Sequence, residues 1–330
     1  MDRRERVELG RTRLRVTRLG LGTAPLGGLY AEVAETEAHS VVEGAYELDL
    51  RYFDTAPLYG HGLAEQRTGQ VLGTKPRDAF VLSTKVGRLL RPGAPSADGQ
   101  FKGTPALVPV FDFSYDATLR SVDESLGRLG LDRVDILLIH DPDDHYDEAL
   151  RGAYPAIERL RSEGVVSAIG AGMNQAEMLA RFVREADLDC VLLAGRYTLL
   201  DQVALSDLLP LCQERGVAVI AGGVFNSGIL ARPASGAPYN YEPAAGEIVD
   251  RARRIESVCA RFDVPLKAAA LQFPLAHPAV ACVLTGCRSV AELEENIRLF
   301  ELELPAGLWP ALKAQGLLSE PAPVPAPSRP

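Results

Sequence analysis

Four side chains lie at or just after the ends of short apolar segments. Each can transfer a proton or change the pKa of a neighbouring group. The segment YFDTAPLYG places Asp54 after an apolar pair and Tyr59 in the loop beyond it. The run VLSTK ends on Lys85, and the apolar run ILLI is followed by His140. One lysine or histidine at a strand end is usually a solvated rim residue. Four reactive residues at the ends of successive strands indicate a shared catalytic site instead.

The chemistry of these four residues fits a proton transfer. A free tyrosine has a pKa of about 10, which is too high for a base at neutral pH. The ammonium of Lys85 would lower the pKa of Tyr59 by favouring the phenolate, and Asp54 would keep that ammonium charged and oriented. His140 would donate a hydrogen bond to the substrate oxygen. None of these groups carries electrons, so oxidation or reduction at this site requires a bound cofactor.

Short apolar strands alternate with longer amphipathic segments, which is typical of repeated βα units around a parallel sheet. The predicted strands are Leu19–Thr23, Tyr52–Thr55, Phe80–Lys85, Asp135–His140, Val166–Ala171, Cys190–Ala194, Ala218–Ala221 and Cys282–Thr285. Helical periodicity is clearest over Thr36–Glu47 and Tyr115–Gly127, and the second helix should stop at Gly127 or Gly130. The series favours an α/β fold, a single (β/α)8 TIM barrel. The alternative, a doubly wound sheet, normally has a Gly-rich fingerprint after its first strand, and the glycine spacing here does not match one.

A hairpin and two long loops accompany this series. Arg6–Leu9 and Leu14–Thr17 predict an N-terminal β-hairpin. The loops Gly87–Phe113 and Phe225–Pro243 follow the third and seventh strands and are rich in Gly and Pro. Both lie at the carboxyl ends of strands, where barrel active sites are assembled, so we expect them to contribute to the site.

The composition limits the classes of function. The net charge of −9 disfavours binding to nucleic acid or to anionic membrane lipids. The N-terminus lacks an apolar signal segment, and no apolar run is long enough to span a bilayer, so we expect a cytoplasmic protein. Five scattered cysteines indicate free thiols and no metal site. We expect one barrel domain over residues 1–319 and a disordered Pro- and Ala-rich tail over residues 320–330.

The sequence resembles the aldo-keto reductase superfamily from the N-terminal hairpin to about Phe300. The motifs that carry the resemblance are DTAPLYG at Asp54–Gly60 and LGRLGLDRVDILLIH at Leu126–His140. The resemblance implies NADPH or NADH as the cofactor, bound without a Rossmann fold. It also implies that the four residues above form a catalytic tetrad. Tyr59 is then the general acid/base, the lysine and aspartate tune it, and the histidine orients the substrate.

Within the superfamily the sequence is similar to aldose 1-dehydrogenases and pyridoxal 4-dehydrogenases. The likeness is carried by APLGGLY at Ala24–Tyr30, IGAGMNQ at Ile169–Gln175, LAGRYTLLDQ at Leu193–Gln202 and GGVFNSGIL at Gly222–Leu230. It implies oxidation of an aldose such as L-fucose, L-galactose or D-arabinose at C1 to the lactone. A pyridoxal 4-dehydrogenase or a general aldehyde or ketone reductase is the alternative. A non-catalytic cofactor-binding regulatory subunit is disfavoured by the complete tetrad. The partner is a small sugar or aldehyde, and the oligomeric state is left open.

The resemblance also implies a set of cofactor contacts. They are Gly22, Thr23, Asn174, Gly222, Gly286, Arg288, Glu292, Glu295 and Asn296. Asn174 stands in for the Ser-Asn pair of the wider family, and Gly222 occupies the position where many members stack a Tyr on the nicotinamide. Gly286 lets the backbone approach a phosphate, and the helix that starts near Ser289 offers free N–H groups to an anion.

The cofactor is expected to be NAD rather than NADP. NADP-preferring relatives often have a basic residue four positions before the adenine-contacting Asn296, and here that residue is Glu292. Its carboxylate would accept hydrogen bonds from the ribose hydroxyls and repel a 2′-phosphate. Arg288 could bind that phosphate instead. If Arg288 and Glu292 neutralise each other, use of both cofactors follows.

Overall fold

Eight parallel strands form a closed barrel in the computed structural model, which describes residues 1–96, 99–240 and 242–326. The strands are β1 (Leu19–Gly22), β2 (Tyr52–Asp54), β3 (Val81–Val86), β4 (Ile136–His140), β5 (Ala168–Met173), β6 (Cys190–Ala194), β7 (Ala218–Gly222) and β8 (Val280–Thr285). Each strand pairs in parallel with the next, and β8 pairs with β1 to close the ring. The predicted (β/α)8 barrel is confirmed.

The predicted strands lie within two residues of the observed ones. β5 begins at Ala168, two residues later than predicted, because Ala168 is the first residue to pair with β4. β8 begins two residues earlier than predicted, at Val280, which pairs with Val219 of β7. Apolar runs therefore identify the strands, whereas pairing with the neighbours sets their ends.

The helices lie outside the barrel. They are α1 (Glu35–Glu47), α2 (Leu63–Leu72), α3 (Tyr115–Leu129), α4 (Tyr154–Ser162), α5 (Ala176–Glu185), α6 (Leu208–Arg215), α7 (Gly246–Ala260), α8 (Leu266–Gln272), α9 (Val290–Glu301) and α10 (Leu308–Ala314). A helical turn, Tyr146–Glu148, and a π-helical segment, Ala149–Ala153, lead into α4. At α3 the Ser114 side chain accepts a hydrogen bond from the backbone of Ala117, and Gly130, with φ of 63°, ends the helix.

An antiparallel hairpin closes the N-terminal end of the barrel, as the sequence predicts. Its strands are Arg6–Glu8 and Arg15–Thr17. Leu9 and Val16 pack against the inward-facing residues at the starts of the barrel strands, Tyr52 among them. Loops cover the opposite end of the barrel, at the carboxyl ends of the strands.

The two predicted long loops each contain a hairpin. Arg88–Pro92 pairs with Leu107–Phe111 after β3, and Pro238–Tyr239 pairs with Glu242–Pro243 after β7. The tip of the first hairpin crosses to the loop that follows β1, where Phe101 forms a bridge with Leu29. Residues 97, 98 and 241 of these loops lie outside the described residues.

The loops after β1 and β2 are packed backbone against backbone. A Cβ on Gly27 would lie 2.6 Å from the carbonyl carbon of Tyr59, and one on Gly60 would lie 2.3 Å from the carbonyl oxygen of Gly27. Gly60 also has φ of +63°, a conformation that side chains disfavour. The two loops therefore form one rigid unit.

The C-terminal segment differs from the expected disordered tail. Ala322 is buried and Val324 packs against the main core, so residues 320–326 lie on the barrel. Residues 327–330 lie outside the described residues. All five cysteines are buried and unpaired. No helix within the described ranges is long and apolar enough to cross a bilayer.

Candidate active site

Asp54 and Lys85 form a buried ion pair at the carboxyl ends of β2 and β3. The Lys85 Nζ atom lies 2.7 Å from Asp54 Oδ2 and 2.9 Å from the carbonyl oxygen of Thr55. The side chains of Lys85 and Asp54 are only 1% and 3% exposed. Ser83, which pairs with Asp54 across the two strands, donates a hydrogen bond of 2.7 Å to Asp54 Oδ1. Both carboxylate oxygens are therefore engaged, which fixes the position of the ammonium.

Tyr59 lies half-buried in the turn after β2, against this ion pair. The Lys85 Nζ atom lies 4.5 Å from the centroid of the Tyr59 ring, over its face. The His140 ring meets the Tyr59 ring edge-on, with 5.9 Å between centroids and 89° between planes. The Tyr59 hydroxyl has no hydrogen-bond partner among the described residues. It is thus available to a substrate oxygen.

His140 is the last residue of β4 and is buried beside Tyr59. Burial, with the nearby charges of Arg88 and Lys85, holds the pKa of His140 well below 6.5. The imidazole is therefore neutral at neutral pH, with one nitrogen that donates and one that accepts. A neutral imidazole can orient a substrate oxygen without adding charge to the site.

The electrostatics of Tyr59 differ from the expectation that Lys85 lowers its pKa. Burial raises the pKa of Tyr59 well above 10, and the carboxylates of Asp54 and Asp141 raise it further. The cation that lowers it is Arg88. The physical reason is that the Lys85 ammonium is neutralised by Asp54 at 2.7 Å. In this structure Tyr59 is therefore a neutral phenol at neutral pH.

Three residues near the tetrad were missed at the sequence level. Arg88 donates a hydrogen bond of 3.0 Å to Asp141 Oδ2, and that oxygen lies 3.4 Å from His140 Nε2. The Phe101 ring lies 6.2 Å from the Tyr59 ring. Arg88 and Asp141 follow predicted site residues closely along the chain, which is a usable signal. Phe101 has none, because it reaches the site only through the loop crossing at Leu29.

The residues expected at the nicotinamide end lie at this same end of the barrel. Thr23 is buried, and its hydroxyl donates a hydrogen bond of 3.0 Å to the carbonyl oxygen of Asp54. Gly22 pairs with Asp54 across β1 and β2. Asn174 follows β5 and donates a hydrogen bond of 3.1 Å to the carbonyl oxygen of Ala194, which pairs with Gly222 of β7. The structure thus gathers these four predicted residues around the barrel mouth.

The residues expected at the adenosine end surround the start of α9. Gly286 directly follows β8, and the Ser289 side chain caps α9 by accepting a hydrogen bond from the Glu292 backbone. Arg288 and Glu292 form an ion pair of 3.4 Å. In the next turn Glu295 pairs with Lys267. Asn296 is buried, and its amide donates to the Cys287 sulfur at 3.3 Å.

The sequence profile of the aldo/keto reductase family matches residues 18–315. The chain belongs to the aldo/keto reductase family. It is therefore an oxidoreductase, and its family uses NAD(P)(H).

This aldo/keto reductase is similar to named relatives over almost its whole length. A D-threo-aldose 1-dehydrogenase of Pseudomonas sp is 46% identical, over 93% of this chain and 96% of the relative. A pyridoxal 4-dehydrogenase of Microbacterium luteolum is 43% identical, over 96% of this chain and 98% of the relative. The holo form of the aldo-keto reductase AKR11C1 from Bacillus halodurans shares its fold with a TM-score of 0.76 and 28% identity, over 96% of both chains.

The adenosine end of this aldo/keto reductase fits a nucleotide. The Asn296 side-chain oxygen is buried and has no hydrogen-bond partner among the described residues. A buried acceptor without a donor costs about 1–3 kcal/mol, which a ligand amino group would relieve. The half-exposed Arg288 offers positive charge to a phosphate. The backbone N–H groups of Val290 and Glu292 in the first turn of α9 already donate to Glu37 and Ser289.

Proposed function

We propose that this protein is an NAD(P)-dependent dehydrogenase that oxidises an aldose at C1 to the lactone, with Tyr59 as the general acid/base. The observation that carries the proposal is the unpartnered Tyr59 hydroxyl, held between the buried Asp54–Lys85 pair and the neutral His140. This arrangement leaves one proton-transferring group open to the substrate. The cofactor, when bound, supplies the hydride acceptor.

The roles of the side chains follow from their contacts. In the oxidation the Tyr59 phenolate takes the proton of the sugar 1-hydroxyl, and in the reverse direction the neutral phenol returns a proton to the carbonyl oxygen. His140 holds that oxygen in line through a hydrogen bond. Lys85, fixed by Asp54, lies over the Tyr59 ring and stabilises the phenolate, which is the base in the oxidation and the product of proton transfer in the reduction. The hairpin Arg88–Pro92 with Leu107–Phe111 is held beside His140 by the Arg88–Asp141 contact, so we expect it to cover this side of a bound substrate.

An aldose is supported as the substrate by the relative that is 46% identical over nearly the whole chain. A sugar ring has an apolar face and polar edges. Phe101 beside Tyr59 offers an aromatic surface, and Arg88 with Asp141 offers polar groups on the side of His140. The second candidate is a pyridoxal 4-dehydrogenase, which is supported by the relative that is 43% identical. The same four residues would serve that reaction.

The cofactor at this site is inferred to be NAD, with NADP accepted more weakly. Glu292 presents a carboxylate four residues before Asn296, as the sequence indicates. Its ion pair with Arg288 offsets part of that charge, so the repulsion of a 2′-phosphate is reduced rather than complete.

Initial rates with a substrate panel test the proposal. The panel contains L-fucose, L-galactose, D-arabinose, pyridoxal and a simple aliphatic aldehyde, each with both cofactors, and Tyr59→Phe serves as the inactive control. We expect the highest kcat/KM with an aldose and NAD, and chromatography should show a lactone or its hydrolysed acid. A higher kcat/KM with pyridoxal would select the second candidate. Efficient reduction of the same sugars to alditols, without lactone, would contradict a dehydrogenase.

A further inference from the structure

A cavity of about 270 Å³ lies at the N-terminal end of the barrel, opposite the tetrad. It is bounded by the N-terminal hairpin and by the segments that lead into β2, β3 and β4. Val81 lines the cavity, and Lys85 lies four residues further along the same strand. At about 3.3 Å per residue, roughly 13 Å separates the cavity from the tetrad.

Arginine side chains dominate the lining of this cavity. They are Arg6, Arg13, Arg15, Arg51, Arg77 and Arg133. Asp78 and Asp135 are the acidic residues among the lining side chains. The whole chain has 44 acidic residues against 35 lysines and arginines, so the cavity reverses the charge balance of the protein. A concave site of one sign concentrates counter-ions of the other sign.

Half of these arginines are fixed by ion pairs. The pairs are Arg51 with Asp49, Arg77 with Asp135 and Arg133 with Asp78. Arg51 and Arg77 are 15% and 13% exposed, and each also donates to backbone carbonyl oxygens. Little further rotamer freedom would be lost if a ligand contacted them, so this wall of the cavity is preorganised.

The three arginines of the N-terminal hairpin contribute positive charge that no nearby carboxylate among the described residues neutralises. Within the part of the chain that the structure describes, Arg6, Arg13 and Arg15 have no carboxylate at ion-pair distance. Glu8 lies opposite Arg15 in the hairpin register without forming a salt bridge, and Arg15 instead donates to the Arg6 carbonyl oxygen at 2.8 Å. The guanidinium groups of Arg6 and Arg13 are thus open to an anion, and Arg15 keeps further N–H groups besides the one that donates to Arg6.

We propose that this cavity is a binding site for a diphosphate group, carried either by inorganic pyrophosphate or by a nucleoside diphosphate. The planar guanidinium fork matches two phosphate oxygens at once, and several forks suit adjacent phosphates better than a single one. The three open arginines balance about the charge of a diphosphate. A cavity of about 270 Å³ has room for a diphosphate together with part of its hydration.

Calorimetric titration of the full chain with sodium pyrophosphate, at constant ionic strength set with chloride, tests this proposal. We expect saturable binding at one site that weakens at least about tenfold in Arg6→Gln/Arg13→Gln. The matched control Arg120→Gln/Arg261→Gln loses two exposed arginines elsewhere and should bind as the wild type does. Arg13→Lys keeps the charge without the fork and should bind with intermediate affinity. The melting temperature of each variant reports whether it folds.

Two further titrations identify the molecule that carries the diphosphate and distinguish this cavity from the cofactor site. Adenosine diphosphate that binds more tightly than pyrophosphate, and loses affinity in the same hairpin variant, would identify a nucleotide ligand. Equal affinities would identify the diphosphate alone. Arg288→Gln, at the opposite end of the barrel, should keep the pyrophosphate binding that is lost in Arg6→Gln/Arg13→Gln, and any further binding event that it alone removes belongs to the cofactor site. Loss of binding in Arg288→Gln, full binding in Arg6→Gln/Arg13→Gln, or heats no larger than those of chloride would overturn the proposal.

Discussion

Asp54 and Lys85 hold each other at 2.7 Å in surroundings that are almost closed to solvent. Opposite charges at this distance cancel much of the field that either would exert on a third group. This explains why the pKa of Tyr59 is raised although an ammonium lies over its ring. The ion pair acts as a rigid, nearly neutral support beside Tyr59, and its charge becomes important when a phenolate forms.

Removal of Lys85 should therefore cost stability as well as activity. In Lys85→Met the buried Asp54 carboxylate loses its partner, which typically lowers the free energy of unfolding by about 3–5 kcal/mol. The double variant Asp54→Asn/Lys85→Met should recover most of that loss but no turnover. Urea unfolding and initial rates measure both. Lys75→Met, which breaks the more exposed pair with Glu43, is the control and should cost about 0–1 kcal/mol. A stable, active Lys85→Met would contradict this role.

Tyr59→Phe should lower kcat by about 10²–10⁴-fold, because it removes the hydroxyl that we propose exchanges a proton with the substrate oxygen. Cofactor affinity, measured by fluorescence titration, should stay nearly unchanged. Tyr115→Phe on the outer helix α3 is the matched control and should retain normal rates. A near-normal kcat in Tyr59→Phe would exclude Tyr59 as the general acid/base.

The raised pKa of Tyr59 predicts opposite pH profiles for the two directions. Reduction needs the neutral phenol, which persists to pH values well above 10, so the reductive rate should not fall near neutral pH. Oxidation needs a proton acceptor, so its rate should rise with pH. Arg88 is the cation that lowers this pKa, so Arg88→Gln should shift the oxidation profile upward. An unshifted profile in an active Arg88→Gln enzyme would contradict this electrostatic role.

The Arg288–Glu292 pair predicts how cofactor preference responds to mutation. Glu292→Gln frees Arg288 for a 2′-phosphate, so the ratio of NAD to NADP affinity should fall from a wild-type value above one. Arg288→Gln should raise the ratio, because an unpaired carboxylate then faces the ribose. Dissociation constants for both cofactors, measured by fluorescence, provide the test independently of turnover. A wild-type preference for NADP would show that Arg288 controls this end of the site.

His140 predicts a loss of stability in weak acid. Its pKa is about 6.5 in the unfolded chain and well below that value in the folded protein, so the unfolded state binds more protons below pH 6.5. The free energy of unfolding should therefore fall as pH drops from 7.5 to 5.5, by up to about 1.4 kcal/mol per pH unit for this group. His140→Gln should flatten the decline, whereas His39→Gln on α1 should not. Buried His277, whose pKa is also lowered, would retain part of the slope.

The barrel and the gathering of Asp54, Tyr59, Lys85 and His140 at one end of it could be predicted because both depend on local patterns. Each reactive residue ends or follows a short apolar run, and a parallel barrel brings all such ends to one face. The contact between Arg88 and Asp141 could not be predicted from the sequence, because it joins the loop hairpin after β3 to the residue that follows β4. The pKa of Tyr59 was predicted in the wrong direction for a related reason. The burial of Tyr59 and the short distance between Lys85 and Asp54 are set by three-dimensional packing. The spacing of residues along the sequence does not reveal either one.

The close backbone packing at Gly27 and Gly60 limits how the loops of this barrel can change during evolution. Since neither position has room for a Cβ, an insertion in the loop after β1 would disturb the turn that carries Tyr59, and the reverse also holds. Natural or laboratory selection for new substrates therefore has little freedom in these two loops. Variation in length has more room in the hairpin-bearing loops after β3 and β7, away from the crossing of Phe101 with Leu29. A library directed at substrate range should randomise those two loops and keep the paired glycines constant.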